Sequence, residues 1–162
     1  MGSWTIILLV LGSLHVVQSL YLPSSNCPLG CICDFVNNAL TIQCTIVQQQ
    51  YSTFNLPDVS LSPQLKTTNT INVRNSFIQS YPANICQYSG SLLNLDLSLN
   101  QISTALSATN FDCLTQLVFL NLSTNYIRTL NENSFRYMNS IVLLDLSNNL
   151  ISTLPVNLFA YK

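Results

Sequence analysis

Histidine is nearly missing from this chain: the single copy, His15, sits in an apolar stretch close to the amino terminus. If that stretch is removed, no imidazole remains, which excludes Ser-His and Cys-His nucleophile pairs and the commonest metal ligand. Glycine is scarce as well. Of four in 162 residues, only Gly30 and Gly90 lie beyond that stretch, so no glycine-rich phosphate loop can be built. Charge is sparse, with five Lys or Arg against six Asp or Glu. No basic cluster is present to meet nucleic-acid phosphates or an anionic membrane surface. The longest apolar run, Ile6 to Val17, covers twelve positions, short of the roughly 20 that cross a bilayer. These absences predict no catalytic residue, no cofactor and no metal, and leave Asn, Ser, Thr and Gln to keep the surface wet.

The apolar run is interrupted by Gly12, Ser13 and His15 and ends on the small residues Val17 and Ser19. It reads as a secretory signal peptide over residues 1–19, cut before Leu20, although the positive charge ahead of it comes only from the amino terminus. The alternative, a membrane anchor, is disfavoured by length. The expected location is secreted or extracellular, or the ectodomain of a membrane protein if the chain continues.

What the chain has in abundance is a periodic pattern. Leu92 to Ile102 reads LLNLDLSLNQI, Leu117 to Ile127 reads LVFLNLSTNYI, and Ile141 to Ile151 reads IVLLDLSNNLI, at intervals of 25 and 24 residues. This L-x-x-L-x-L-x-x-N-x-I spelling is the leucine-rich repeat signature. A weaker copy precedes it, with Ile71, Val73, Ile78 and Pro82 in phase and Ser76 in place of the Asn, so the array begins near Thr68. The expected fold is an α/β repeat solenoid, a right-handed coil with a parallel sheet on its concave face. In each repeat the leucine pair points inward from a short strand, and a turn follows. The turn residues Asn100, Asn125 and Asn149 should stack as a polar ladder, bonding backbone groups that lack a partner. Cys86, Phe111, Phe135 and Phe159 are the expected convex anchors. One repeat cannot bury its own apolar face, so stability comes from stacking and each end needs a cover. The last repeat, incomplete and followed by no cysteine cap, should leave Leu154, Leu158 and Phe159 uncovered, with an open strand edge from Leu143 to Ser147 and self-association through that end.

Six cysteines in a chain bound for an oxidising compartment predict disulfides. Four are spaced Cys27-x3-Cys31-x-Cys33-x10-Cys44, with Pro28 after the first. Spacing allows three pairings; a zinc site is the rival, weakened by the Cys-x-Cys spacing and the lack of a nearby histidine. The segment resembles the amino-terminal cysteine cap that precedes extracellular leucine-rich repeats in Slit-like, Toll-like, Nogo-receptor-like and small proteoglycan families. That resemblance implies Cys27 to Cys33 and Cys31 to Cys44. Within the cap, Leu40 to Cys44 alternates apolar and polar and should form a strand on the edge of the first repeat. Thr45 to Thr67 reads as irregular structure, so residues 20–67 are cap and connector, and 68–162 are the repeats. Cys86 and Cys113, 27 residues apart, should lie on neighbouring repeats within bridging reach; the alternative is a buried thiol at Cys86 with Cys113 unpaired.

Alternation puts three columns on the concave face: Thr70, Asn94, Phe119, Leu143; Asn72, Asp96, Asn121, Asp145; and Arg74, Ser98, Ser123, Ser147. Asp96 and Asp145 stand about 10 Å apart by strand spacing, near the separation of inverting glycosidases. An Asp or Asn there is the usual repeat residue, however, and an open sheet has no pocket to split the two pKa values. Phe119 and Leu143, joined at the edge by Tyr126 and Leu150, are the candidate partner-binding patch; scattered, tolerated apolar residues are the alternative. Asn121-Leu122-Ser123 is the one glycosylation sequon, and a sugar there would compete with the patch. The expected function is a non-catalytic extracellular module that binds a protein or glycan, as in a receptor or adhesion ectodomain. A structural matrix protein is the second reading, and a carboxylate-dependent glycosidase a distant third.

Overall fold

The computed structural model describes residues 31–36, 39–44, 55–61 and 63–160. The segment read as a signal peptide, and Cys27, lie outside them. Six strands form one sheet in chain order: β1 (Cys31–Val36), β2 (Ala39–Cys44), β3 (Thr68–Asn72), β4 (Asn94–Asp96), β5 (Phe119–Asn121) and β6 (Leu143–Asp145). β1 and β2 are antiparallel, whereas the five strands from β2 to β6 run parallel. The parallel array fits a repeat solenoid. The strand anticipated at Leu40 to Cys44 indeed pairs with the first repeat, Ile42 lying opposite Ile71. β1 is an addition to the sequence expectations, a strand held by its partner β2 and set by no alternation of its own.

The repeats stack in register. Thr70, Asn94, Phe119 and Leu143 are successive neighbours, as are Ile71, Leu95, Leu120 and Leu144. The second of these rows faces inward with the Val73, Leu97, Leu122 row and the Ile78, Ile102, Ile127 row, all essentially free of solvent until Leu144 and Leu146 at the far end. Each fully buried leucine or isoleucine contributes roughly 1.5–3 kcal/mol against exposure, so the core is a set of apolar columns along the stacking axis.

The helical half of the expected α/β repeat is nearly absent. Among the described residues, one turn of α-helix, α1 (Ala108–Phe111), and 3-10 turns at Val59–Leu61, Pro63–Thr67 and Ile85–Tyr88 are all that form. Elsewhere the return path uses tight turns, as where Ser134, Arg136 and Met138 bond back to Asn131, Asn133 and Phe135.

Three placements correct the expectations. Cys86 is exposed and does not fill the inner slot of its repeat; the neighbouring Ile85 does. Leu158 is buried, because it turns under the last repeat, while Leu154 and Phe159 are exposed as anticipated. Phe159 nonetheless stacks on buried Phe135, with centroids 5.8 Å apart and planes nearly parallel. The open edge is shorter than Leu143 to Ser147, since β6 ends at Asp145.

Candidate binding faces

The turn after each strand shows how the signature residues act. Asn125 donates through Nδ2 to the carbonyls of Leu97 in the preceding repeat (3.0 Å) and Leu122 in its own (3.1 Å), while its Oδ1 accepts the Ile102 amide (3.0 Å). Asn100 and Asn149 repeat the arrangement with Val73 and Leu122 as the preceding carbonyls. Each ladder residue therefore satisfies backbone groups of the repeat before it. Ser76 does the same work for the cap: its hydroxyl lies 3.0 Å from the Cys44 carbonyl as a donor. A shorter side chain suffices there.

The middle column is also structural. The side-chain oxygens of Asn72, Asp96, Asn121 and Asp145 each accept the backbone amide two residues on, at 2.9–3.1 Å, closing the turn that leaves the strand. The Ser147 hydrogen bonds hold the Asp145 carboxyl below the usual carboxylate range. That is the opposite of what a general acid needs, and both carboxyls of the pair are engaged in closing their own turns. Asn121 is half-buried, its Oδ1 bonded by both the amide and the hydroxyl of Ser123 and its Nδ2 3.5 Å from Asp96.

The third column is corrected. Because β4 to β6 are only three residues long, the chain has left the sheet by the seventh position. Ser98 is buried, with its hydroxyl unpaired, and only Arg74 and Ser147 of that column are exposed.

On the open face of the sheet Phe119 is half-buried and Leu143 is 50% exposed, side by side in register. The structure adds a row that strand alternation does not reveal. Leu93, Val118 and Val142 precede their strands and are linked by amide-to-carbonyl bonds of 2.8 and 2.9 Å; Leu93 and Val142 are exposed. The signal for them was the run of apolar residues in LVFL and IVLL, where only the first and last of the four turn inward. Tyr126 and Leu150 are exposed too, but they follow the ladder Asn on the turn edge and stand apart from the strands that carry Phe119 and Leu143.

Cys86 and Cys113 form a disulfide, with Cα atoms 5.5 Å apart. With the Asp112 carboxylate beside them they are the one grouping of potential metal ligands among the described residues, but sulfurs bonded to each other offer no thiolate. Cys44 is buried and disulfide-bonded, and the β1–β2 register sets Cys31 opposite it. No helix among the described residues is long and apolar enough to cross a membrane.

A parallel sheet of short strands, the last three each followed by an Asn that ties two repeats together, defines a class of repeat protein built to present a broad open face. The chain belongs to the leucine-rich repeat family: the family model described as Leucine rich repeat matches residues 66–127 and 105–151, together more than half of the sequence. Domains of this family are commonly protein-binding and generally non-catalytic. No curated protein matches the chain.

Proposed function

We propose that this protein is an extracellular recognition module that binds a protein partner through the open face of its sheet, as a receptor or adhesion ectodomain does. The observation that carries the reading is the pairing of Phe119 with Leu143 on adjacent strands, with Leu93, Val118 and Val142 in the row just ahead of those strands. Exposed apolar side chains in adjacent repeats make a continuous patch, which costs solubility unless a partner covers it. A glycan as ligand, and a matrix protein as the setting, are the neighbouring readings; the sparse charge and the apolar pair Phe119 and Leu143 favour a protein surface.

The extracellular setting rests on the signal-like residues 1–19 and on the cysteine spacing. Of the cap disulfides, Cys31 to Cys44 is supported by the register that sets these two residues opposite each other, while Cys27 to Cys33 rests on the spacing and the family resemblance alone. Mapping of unreduced peptides and amino-terminal sequencing of the secreted chain test both. A glycan on Asn121 would stand two residues from Phe119 on the same face, so enzymatic removal of sugar, or Asn121→Gln, should open the patch. Self-association through the last repeat is supported by exposed Leu154, Val156 and Phe159; light scattering tests it.

For the patch itself, Phe119→Ala and Leu143→Ala should each weaken binding to a partner by about 1–2 kcal/mol as hot-spot truncations do. Melting temperature should hardly move for Leu143→Ala. Unchanged binding with both side chains removed would overturn the assignment.

A further inference from the structure

The open sheet face carries charge that its own turns do not require. Asp96 and Asp145 close the turns after β4 and β6 by accepting the Ser98 and Ser147 amides at 2.9 Å, while Asn72 and Asn121 close the equivalent turns by the same kind of bond at 3.1 and 3.0 Å. A neutral side chain therefore suffices at this position. No lysine or arginine lies on β3 to β6, and among the described residues neither carboxylate is ion-paired. Asp145, held below the usual carboxylate range by Ser147, is charged at neutral pH.

The register sets this charge around the apolar pair. Asp96, Asn121 and Asp145 are lateral neighbours on β4, β5 and β6, and Asn94, Phe119 and Leu143 are the neighbours two residues earlier. Alternation turns both rows to the same side, opposite the buried Leu95 and Leu120. Phe119, on the middle strand, thus has a carboxylate on each flanking strand, and Leu143 has Asp145 about 7 Å along its own. The two carboxylates stand about 10 Å apart by strand spacing, with Asn121 between them. That gap is too wide for one divalent ion, whose oxygen ligands lie within about 2.6 Å. It suits a side-chain cation lying over Asn121, within about 5 Å of each strand neighbour. Asp96 Oδ2 has only the Asn121 amide, at 3.5 Å, a long contact that a cation can replace.

Resting on the reading of the sheet face as a protein-binding surface, we propose that its partner presents a lysine or arginine beside an aromatic or branched aliphatic side chain. The apolar group packs on Phe119 and Leu143, and the cation sits over Asn121 between Asp96 and Asp145. Apolar contact supplies the affinity, and the two carboxylates supply orientation and salt dependence.

The test uses the full chain made in a host without N-glycosylation. Peptides are selected on it from a random display library, with counter-selection against the double variant Phe119→Ala, Leu143→Ala, and the most enriched one is synthesised and titrated by fluorescence anisotropy. It should carry Lys or Arg close to Leu, Ile, Phe or Trp, and its affinity should fall as NaCl rises. Because Asn and Asp both close this turn in the native chain, the charge can be changed with the fold kept. Asp96→Asn with Asp145→Asn should weaken the peptide by about fivefold or more and flatten its salt dependence; both changes spell new sequons, which that host leaves bare. Asn121→Asp should tighten the peptide by about twofold or more. Melting temperatures close to the parent's show that neither effect is lost fold. If selection yields no peptide that depends on Phe119 and Leu143, the sheet face is not the binding surface, and the proposal falls with the reading it rests on. If peptides depend on those two residues but carry no basic side chain, or ignore both charge changes, the sheet face stands and the cation seat is overturned.

Discussion

The side-chain amide of Asn84 pairs with the backbone of Leu56 as a neighbouring strand would, accepting its amide at 2.9 Å and donating to its carbonyl at 2.8 Å. Gln87 does the same between Val59 and Pro57, and the Tyr88 hydroxyl donates to the Pro57 carbonyl at 2.6 Å. Between these clamps Cys86 bridges forward to Cys113. The short stretch from Asn84 to Tyr88 thus ties the connector behind it to the repeat ahead.

Asn84→Ala should therefore loosen the connector from the repeats. Two partly buried backbone groups lose their partner, which costs about 1–3 kcal/mol. Hydrogen exchange should localise the loss, with the Leu56 amide deprotected while Leu95 and Leu120 stay slow. Equal protection at Leu56 in both proteins would show that the clamp contributes nothing.

The ladder predicts a graded series. Asn125 is 4% exposed, so Asn125→Ala strands the Ile102 amide and the Leu97 carbonyl out of reach of water, at a cost of roughly 3 kcal/mol or more. Asn149 makes the same kinds of bond but is only half-buried, and water can replace it. Asn149→Ala should cost about 1 kcal/mol. Chemical denaturation of the two variants checks the order, and equal losses would contradict the burial argument.

Removing the inter-repeat disulfide should act mainly through the unfolded chain. Its ends are 27 residues apart, for which chain entropy gives about 3.5 kcal/mol. Because Cys86 is exposed, the double variant Cys86→Ser, Cys113→Ser leaves no large cavity, and its loss under oxidising conditions should stay near that figure, smaller than the loss on full reduction, which also opens the Cys44 disulfide. A loss in the variant well above that figure would mean that packing, and not cross-linking, is the main effect.

Stability should fall at both ends of the pH scale for opposite reasons. Burial raises the pKa of Tyr81 and, with the Asp58 carboxylate adding to it, that of Tyr88. The unfolded chain then loses its phenolic protons first. Stability is intact below the ordinary value of about 10 and is lost as pH rises above it. Asp145 is shifted down by Ser147, so its contribution is present above about pH 4 and is lost as pH falls further. Melting curves from pH 3 to 12 should show a flat centre, and Tyr88→Phe should reduce the alkaline loss. An alkaline limb of unchanged depth in that variant would rule Tyr88 out.

Much of this architecture was legible because its determinants are periodic. The parallel rows through Ile71, Leu95 and Leu120, the ladder at Asn100, Asn125 and Asn149, and the strand at β2 all follow from spacing. What spacing could not give was decided by contacts across repeats. Cys86 and Ile85 are adjacent, and only the bridge to Cys113 determines which of them turns inward. Strand length was overestimated because alternation has no terminus of its own; the Asx turns at Asp96, Asn121 and Asp145 end the strands and carry Ser98 into the interior. The row of Leu93, Val118 and Val142, exposed at Leu93 and Val142, was hidden by the rule that Leu and Val are core residues. The left-handed backbone at Leu99 and Thr124 leaves no trace in residue type, since neither is a residue that the conformation favours.

The direction of the ladder bonds bears on how the chain is made. Asn125 serves Leu97 and Ile102, and Asn149 serves Leu122 and Ile127; in each case the helper lies 22–28 residues downstream of the group it satisfies. A repeat leaving the ribosome consequently waits, with open amides and carbonyls, until the next one has been synthesised. Maturation is delayed by one repeat at every step, and a pause in translation inside this array would hold the newest finished-looking repeat in an adhesive state.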